Sequence, residues 1–118
     1  MKKSSSISDS PEGMTENFTK ATVDLATLQL LSEGPMYVYQ MIRSFENRSN
    51  GLYIVANLYP AIYHLKKLGY LEEFETKITE GNRIRTYYCI TECGKSYLAA
   101  IHEDFKTINT GIQLIINE

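Results

Sequence analysis

Three observations predict a mainly α fold carrying a small β-wing (α+β), a winged helix-turn-helix with a long C-terminal helix. An aromatic-rich helical run, LYPAIYHLKKLGYL, begins at Leu58 and passes directly into two β-favouring stretches joined by TEGNR. Two shorter helical patterns precede it, separated by the Gly34–Pro35 break. Apolar residues then recur at heptad-like spacing through the C-terminal segment.

The chain has 118 residues, room for one compact domain and too few for two cores of ordinary size. Hydrophobic residues make up 43% of it, yet no run approaches the roughly 20 apolar residues that span a bilayer. The start, Lys2 and Lys3 followed by SSSISDSPEG, lacks the apolar block of a secretory signal. A cytoplasmic protein without membrane attachment is expected. The two cysteines, Cys89 and Cys93, fall short of the four ligands of a structural zinc site, and His64 and His102 lie in other elements. Neither a metal nor a cofactor is expected.

Each element has a local cause. Residues 1–17 are serine-rich and polar, with too little apolar surface to offset ordering entropy, and are expected to form a disordered tail. Met14, followed by TENF, is an alternative natural start. The winged helix-turn-helix unit is expected over residues 18–91. Its first helix, Phe18 to Ser32, carries Val23, Leu25, Leu28 and Leu31 as an apolar stripe and stops at Gly34. The second follows Pro35 in MYVYQMIRSFENR, with Tyr39, Ile42 and Phe45 at three-residue steps, and ends in SNG. Leu52 to Val55 is read as a brief extended piece.

The third helix is capped by Asn57 and tolerates Pro60 in its first turn, where amides have no intrahelical partner to lose. Leu58, Ile62, Leu65 and Leu68 make its inward face, and Gly69 ends it. Leu71 to Thr79 and Ile84 to Ile90 are the strands, with Glu80, Gly81 and Asn82 as their turn. Thr91 caps a final helix over residues 92–118, roughly 35 to 40 Å long at 1.5 Å per residue. Tyr97, Ile101, Phe105, Ile108, Ile112 and Ile115 form its seam. Two readings of that seam stand side by side: one more core helix bent at Gly111, or a dimerisation helix packing against a second copy, which the heptad spacing favours.

The order helix, strand, loop, strand makes double-stranded DNA the leading partner. The outward face of the third helix carries Asn57, Tyr63, His64 and Lys67, bordered by Tyr59 and Lys66, and Arg83 and Arg85 flank the wing turn. A helix fits the major groove and presents side chains to base edges, whereas wing arginines meet phosphates or a narrow minor groove. The net charge of −2 argues the other way. From Gly34 to Thr91, however, seven bases (Arg43, Arg48, Lys66, Lys67, Lys77, Arg83, Arg85) outnumber five acids (Glu46, Glu72, Glu73, Glu75, Glu80). An excess of two is small, and because phosphate attraction decays over roughly 10 Å at moderate salt, local clustering matters more than the sum.

Three segments, LLSEGPMYVYQMI (Leu30 to Ile42), ANLYPAIYHLKKLGYLE (Ala56 to Glu72) and GNRIRTYYCITECG (Gly81 to Gly94), resemble the PadR family of bacterial transcription regulators, in its short form with a single C-terminal helix. The resemblance covers about Thr22 to the C-terminus. It departs from the family pattern at Val38, where glycine is usual, at Asn57, where a small residue or threonine is usual, and at Thr86, where a wing-base lysine is common. The last two touch the expected DNA face. The resemblance implies a homodimeric repressor of a near-palindromic operator, with its third helix in the major groove. It also implies a small aromatic effector at the dimer interface, where Tyr97, Ile101, Phe105, Ile108 and Ile112 line the seam; the plain alternative is that these residues only pack the dimer.

Two other function classes compete with DNA binding. An enzyme would need Cys89 as nucleophile and His102 as base, on elements that do not bring them together by any motif. A winged helix that binds protein or RNA instead of DNA is the stronger rival, because fold does not fix function.

Overall fold

The computed structural model describes residues 10–117. Its elements run α1 (Pro11–Leu31), β1 (Met36–Tyr37), α2 (Val38–Arg48), α3 (Tyr59–Lys67), β2 (Leu71–Thr79), β3 (Arg83–Ile90) and α4 (Glu92–Ile116). The sheet is antiparallel in the order β1-β3-β2. No described helix is long and apolar enough to cross a membrane.

Helix α1 starts earlier than its apolar stripe suggests. The Ser10 hydroxyl accepts from the Gly13 amide at 3.1 Å, Pro11 occupies the first turn, and Glu12 meets the positive end of the helix dipole. The tail expected over residues 1–17 is therefore corrected for residues 11–17, which are helical; residues 1–9 lie outside the described part. Once the packed C-terminal half has nucleated the helix, each further residue costs little, so even an exposed polar stretch such as Met14 to Phe18 can extend it.

The sheet holds a second correction. The brief extended piece expected at Leu52 to Val55 joins no strand of the sheet. Instead, Met36 and Tyr37, read as the start of the second helix, pair with Tyr88 and Tyr87 of β3. Pro35 biases Gly34 towards extended backbone, and the Tyr37 amide donates to the Gln40 Oε1 at 3.1 Å, which starts α2 one residue later. In the wing, β2 and β3 pair from Leu71↔Ile90 to Thr79↔Arg83. Gly81 and Asn82 turn the chain with φ of 77° and 59°, the left-handed region that glycine and asparagine tolerate best.

Leu28, Met41, Leu58, Ile62, Leu65 and Leu71 are fully buried and form the centre of the core. Three of them are the expected inward face of α3. Leu68 departs from that expectation and is 48% exposed, because α3 ends at Lys67 and the chain turns through Gly69. In α2 the buried residues are Val38, Met41 and Phe45, so Tyr39 points outward, contrary to the three-residue spacing. The Thr91 side chain joins two elements: its hydroxyl donates to the Gly69 carbonyl at 2.6 Å and accepts from the Gly94 amide at 3.0 Å, tying the end of α3 to the start of α4.

Thr27 sits in this core at 0% exposure, and its hydroxyl has no hydrogen-bond partner among the described residues. Thr27→Val keeps the shape and removes the unsatisfied group. The substitution is expected to stabilise the fold by about 1 kcal/mol and raise the melting temperature by about 4 °C in thermal unfolding.

Candidate nucleic-acid interface

The residues expected to meet DNA do not form one continuous face. Tyr59 and Tyr63 stand 51% and 68% exposed on α3. Together with Lys66 they lie near the buried Tyr88 on β3, whose pKa is raised by burial first and by the neighbouring Glu73 next. This group faces the wing. Lys66 is tied to Glu73 at 2.6 Å, and that hydrogen bond raises its pKa. Lys67 is exposed and, among the described residues, forms no ion pair.

His64 and Asn57 turn the other way, into a cleft against α1 that also holds Glu16, Lys20 and Asp24. The His64 Nε2 lies 3.9 Å from an Asp24 carboxylate oxygen. Burial raises the pKa of Asp24, and the field of His64 partly opposes that rise. Asn57 spends its carbonyl on local structure, accepting from the Tyr59 amide at 3.2 Å, which leaves its NH2 group to donate elsewhere. This capping contact lies one residue before the α3 N-cap position, Leu58.

On the wing, Arg83 is exposed beside the turn. Arg85 is not a free wing arginine: its guanidinium packs over the Tyr37 ring at 4.9 Å, and its Nε is buried without an acceptor among the described residues. Lys77 lies over the Tyr87 ring at 5.0 Å and approaches Glu75 at 3.8 Å.

Two groups on this side escaped the sequence reading. Tyr39, on α2, is 51% exposed, and Arg43 one turn later donates to its hydroxyl at 3.1 Å. Their i, i+4 spacing was visible, but the reading of Tyr39 as inward hid the pair. Between α2, α3 and β3 lies a cleft of about 300 Å3 lined by Tyr37, Tyr39, Tyr59, Arg85 and Tyr88 among others.

The seam of α4 forms a separate region. Tyr97 stacks on Tyr70 at 4.2 Å and 10° between planes, fixing the base of α4 to the start of the wing. Further along, Ile101, Phe105, Ile108 and Ile112 face Phe18 and Leu25 of α1 across a groove of about 450 Å3. Ile108, Ile112 and Ile115 are 62%, 44% and 75% exposed. The cysteines are free thiols; burial and the nearby Glu72 push the Cys89 pKa up, which disfavours the thiolate a nucleophile needs.

The family model described as the transcriptional regulator PadR-like family matches residues 27–100. A search of curated proteins finds no match. Among solved structures, a transcriptional regulator from Clostridium thermocellum is 28% identical, with a TM-score of 0.74, over 85% of this chain and 98% of that one. A PadR family regulator from Eggerthella lenta is 22% identical with a TM-score of 0.71, covering 96% and 94% of the two chains. A PadR-like regulator from Bacillus cereus is 20% identical with a TM-score of 0.70, covering 86% and 98%. At such identities the last two are similar in fold alone.

Proposed function

The chain belongs to the PadR-like family of transcriptional regulators, and from that premise we propose that it is a cytoplasmic homodimeric repressor that reads a near-palindromic operator through two copies of α3. Membership makes it a DNA-binding regulator and not an enzyme; the dimer, the operator and the sign of regulation are the proposal. The observation that supports it best is the open apolar seam of Ile108, Ile112 and Ile115, the first two of which share a groove with Phe18. Water-exposed isoleucines at heptad spacing gain from burial against a second copy, on the order of 1.5–3 kcal/mol for each side chain fully covered. Two-fold symmetry then demands half-sites one DNA turn apart, or a multiple of it.

In this reading Tyr59, Tyr63 and Lys67 approach the major groove and Arg83 follows the backbone, while Asn57 and His64 stand on the flank towards α1. A small aromatic effector seated between the copies near Ile101 and Phe105 would release DNA only by preferring one dimer geometry, since a ligand shifts an equilibrium by its differential affinity and no more.

The test is fluorescence anisotropy across a salt series, with DNA from the protein's own promoter against scrambled duplex of equal length. A preference for the promoter that survives near-physiological salt is the expected result. Equal, salt-fragile binding to both, or no binding, would turn the search to protein or RNA partners. Lys67→Ala combined with Arg83→Ala is expected to weaken both duplexes roughly a hundredfold and to lower the salt slope by about two, as the loss of two phosphate contacts demands.

A further inference from the structure

We infer that the cleft between α2, α3 and β3 seats one phosphate of the DNA backbone, bound by Arg43 and Arg85 with the hydroxyls of Tyr39 and Tyr59. The inference rests on the DNA-binding reading above and assigns α2 a part in it.

The charge of the cleft is uncompensated. Tyr39, Tyr59 and Arg85 line it, and no carboxylate does. Arg85 is held 4.9 Å from the centre of the Tyr37 ring, an aromatic face where a salt bridge would otherwise stand, and its Nε is already out of water with no acceptor. The fold has thus met much of the desolvation and ordering cost that a free arginine would bear on meeting an anion. Arg43 is fixed beside the cleft by its hydrogen bond to the Tyr39 hydroxyl and by packing over that ring at 5.7 Å. Glu46 is the acid whose field reaches Arg43, but the two form no ion pair among the described residues.

The neighbouring cations differ. Lys66 is neutralised by Glu73 at 2.6 Å, and Lys77 has Glu75 at 3.8 Å. Lys67 and Arg83 are also unpaired among the described residues, but neither lines this cleft, so an anion entering it meets Arg85 in its wall and Arg43 beside it. The cleft lies where the first turn of α3 meets the base of the wing, so a phosphate held there would fix the register of both elements on the duplex without reading sequence.

The test uses the full chain and Arg43→Gln and Tyr39→Phe variants, both changed at exposed positions. Binding to promoter and scrambled duplexes is measured across salt, and backbone amides of residues 37–43 and 84–88 are followed by NMR during titration with inorganic phosphate at constant ionic strength. Arg43→Gln is expected to weaken both duplexes about tenfold alike and to lower the salt slope by about one. Tyr39→Phe frees the Arg43 side chain and is expected to produce a smaller loss in the same direction. An unchanged slope in Arg43→Gln, while Lys67→Ala still weakens binding, would overturn the seat and leave the DNA reading intact. If neither duplex binds the unaltered protein but phosphate moves those amides only when Arg43 is present, the DNA source is overturned and a free-anion site stands in its place. If neither duplex binds and no amide moves, both readings fall.

Discussion

Gly94→Ala is expected to destabilise the protein by about 3 kcal/mol and to lower its melting temperature by about 10 °C or more. In most helices the same change stabilises by about 1 kcal/mol, because glycine is the poorer helix former. Here the sign reverses for a geometric reason. A Cβ at Gly94 would lie 2.0 Å from the Tyr70 carbonyl oxygen, 2.9 Å from its carbon and 2.8 Å from the Ile90 side chain. The oxygen is backbone and cannot rotate away. It also accepts the Thr91 amide at 3.1 Å, so moving it disturbs the residue that caps α4 and bonds to Gly69. The first turn of α4 must therefore lift from the end of α3, taking with it the stacking of Tyr97 on Tyr70. Calorimetry or thermal circular dichroism checks the size of the loss, and a melting temperature equal to or above that of the unaltered protein would show that the close approach is not there.

Ile108→Asp combined with Ile112→Asp is expected to convert the protein to a monomer and to weaken operator binding by roughly a hundredfold or more, the avidity that linked half-sites supply. By two-fold symmetry each substitution enters the interface twice. Burying an unpaired carboxylate there costs several kcal/mol, so the variant stays monomeric rather than bury it. The core is expected to survive, since both isoleucines are exposed in the single chain and lie away from Leu28, Met41 and Leu65. Light scattering gives the mass and anisotropy the affinity. A variant that remains dimeric would move the interface off this seam, and one that becomes monomeric yet binds the operator undiminished would remove the need for paired α3 helices.

The seam is ambiguous when it is read from a single chain. Ile101 and Phe105 are half-buried, whereas Ile108, Ile112 and Ile115 are exposed to solvent in the single chain. Periodicity marks all five as apolar-face residues and says nothing of which of them another element of the same chain will cover.

What the sequence determined by itself were features governed by neighbours within about one helical turn. The inward face Leu58, Ile62 and Leu65, the wing turn at Gly81 and Asn82, the cap at Thr91 and the order of the helices and wing strands all follow from periodicity, capping and turn chemistry. Tertiary structure alone decided where those elements meet. Met36 and Tyr37 became a strand because β3 offered them a partner, Tyr39 turned outward because Met41 and Phe45 filled the core, and His64 turned towards Asp24 because α1 crosses that side of α3. Arg85 packs on Tyr37, which is distant in sequence, and Gly94 is required by a carbonyl on another element. Such pairings depend on strand register and helix crossing, which the spacing of residues along one element does not encode.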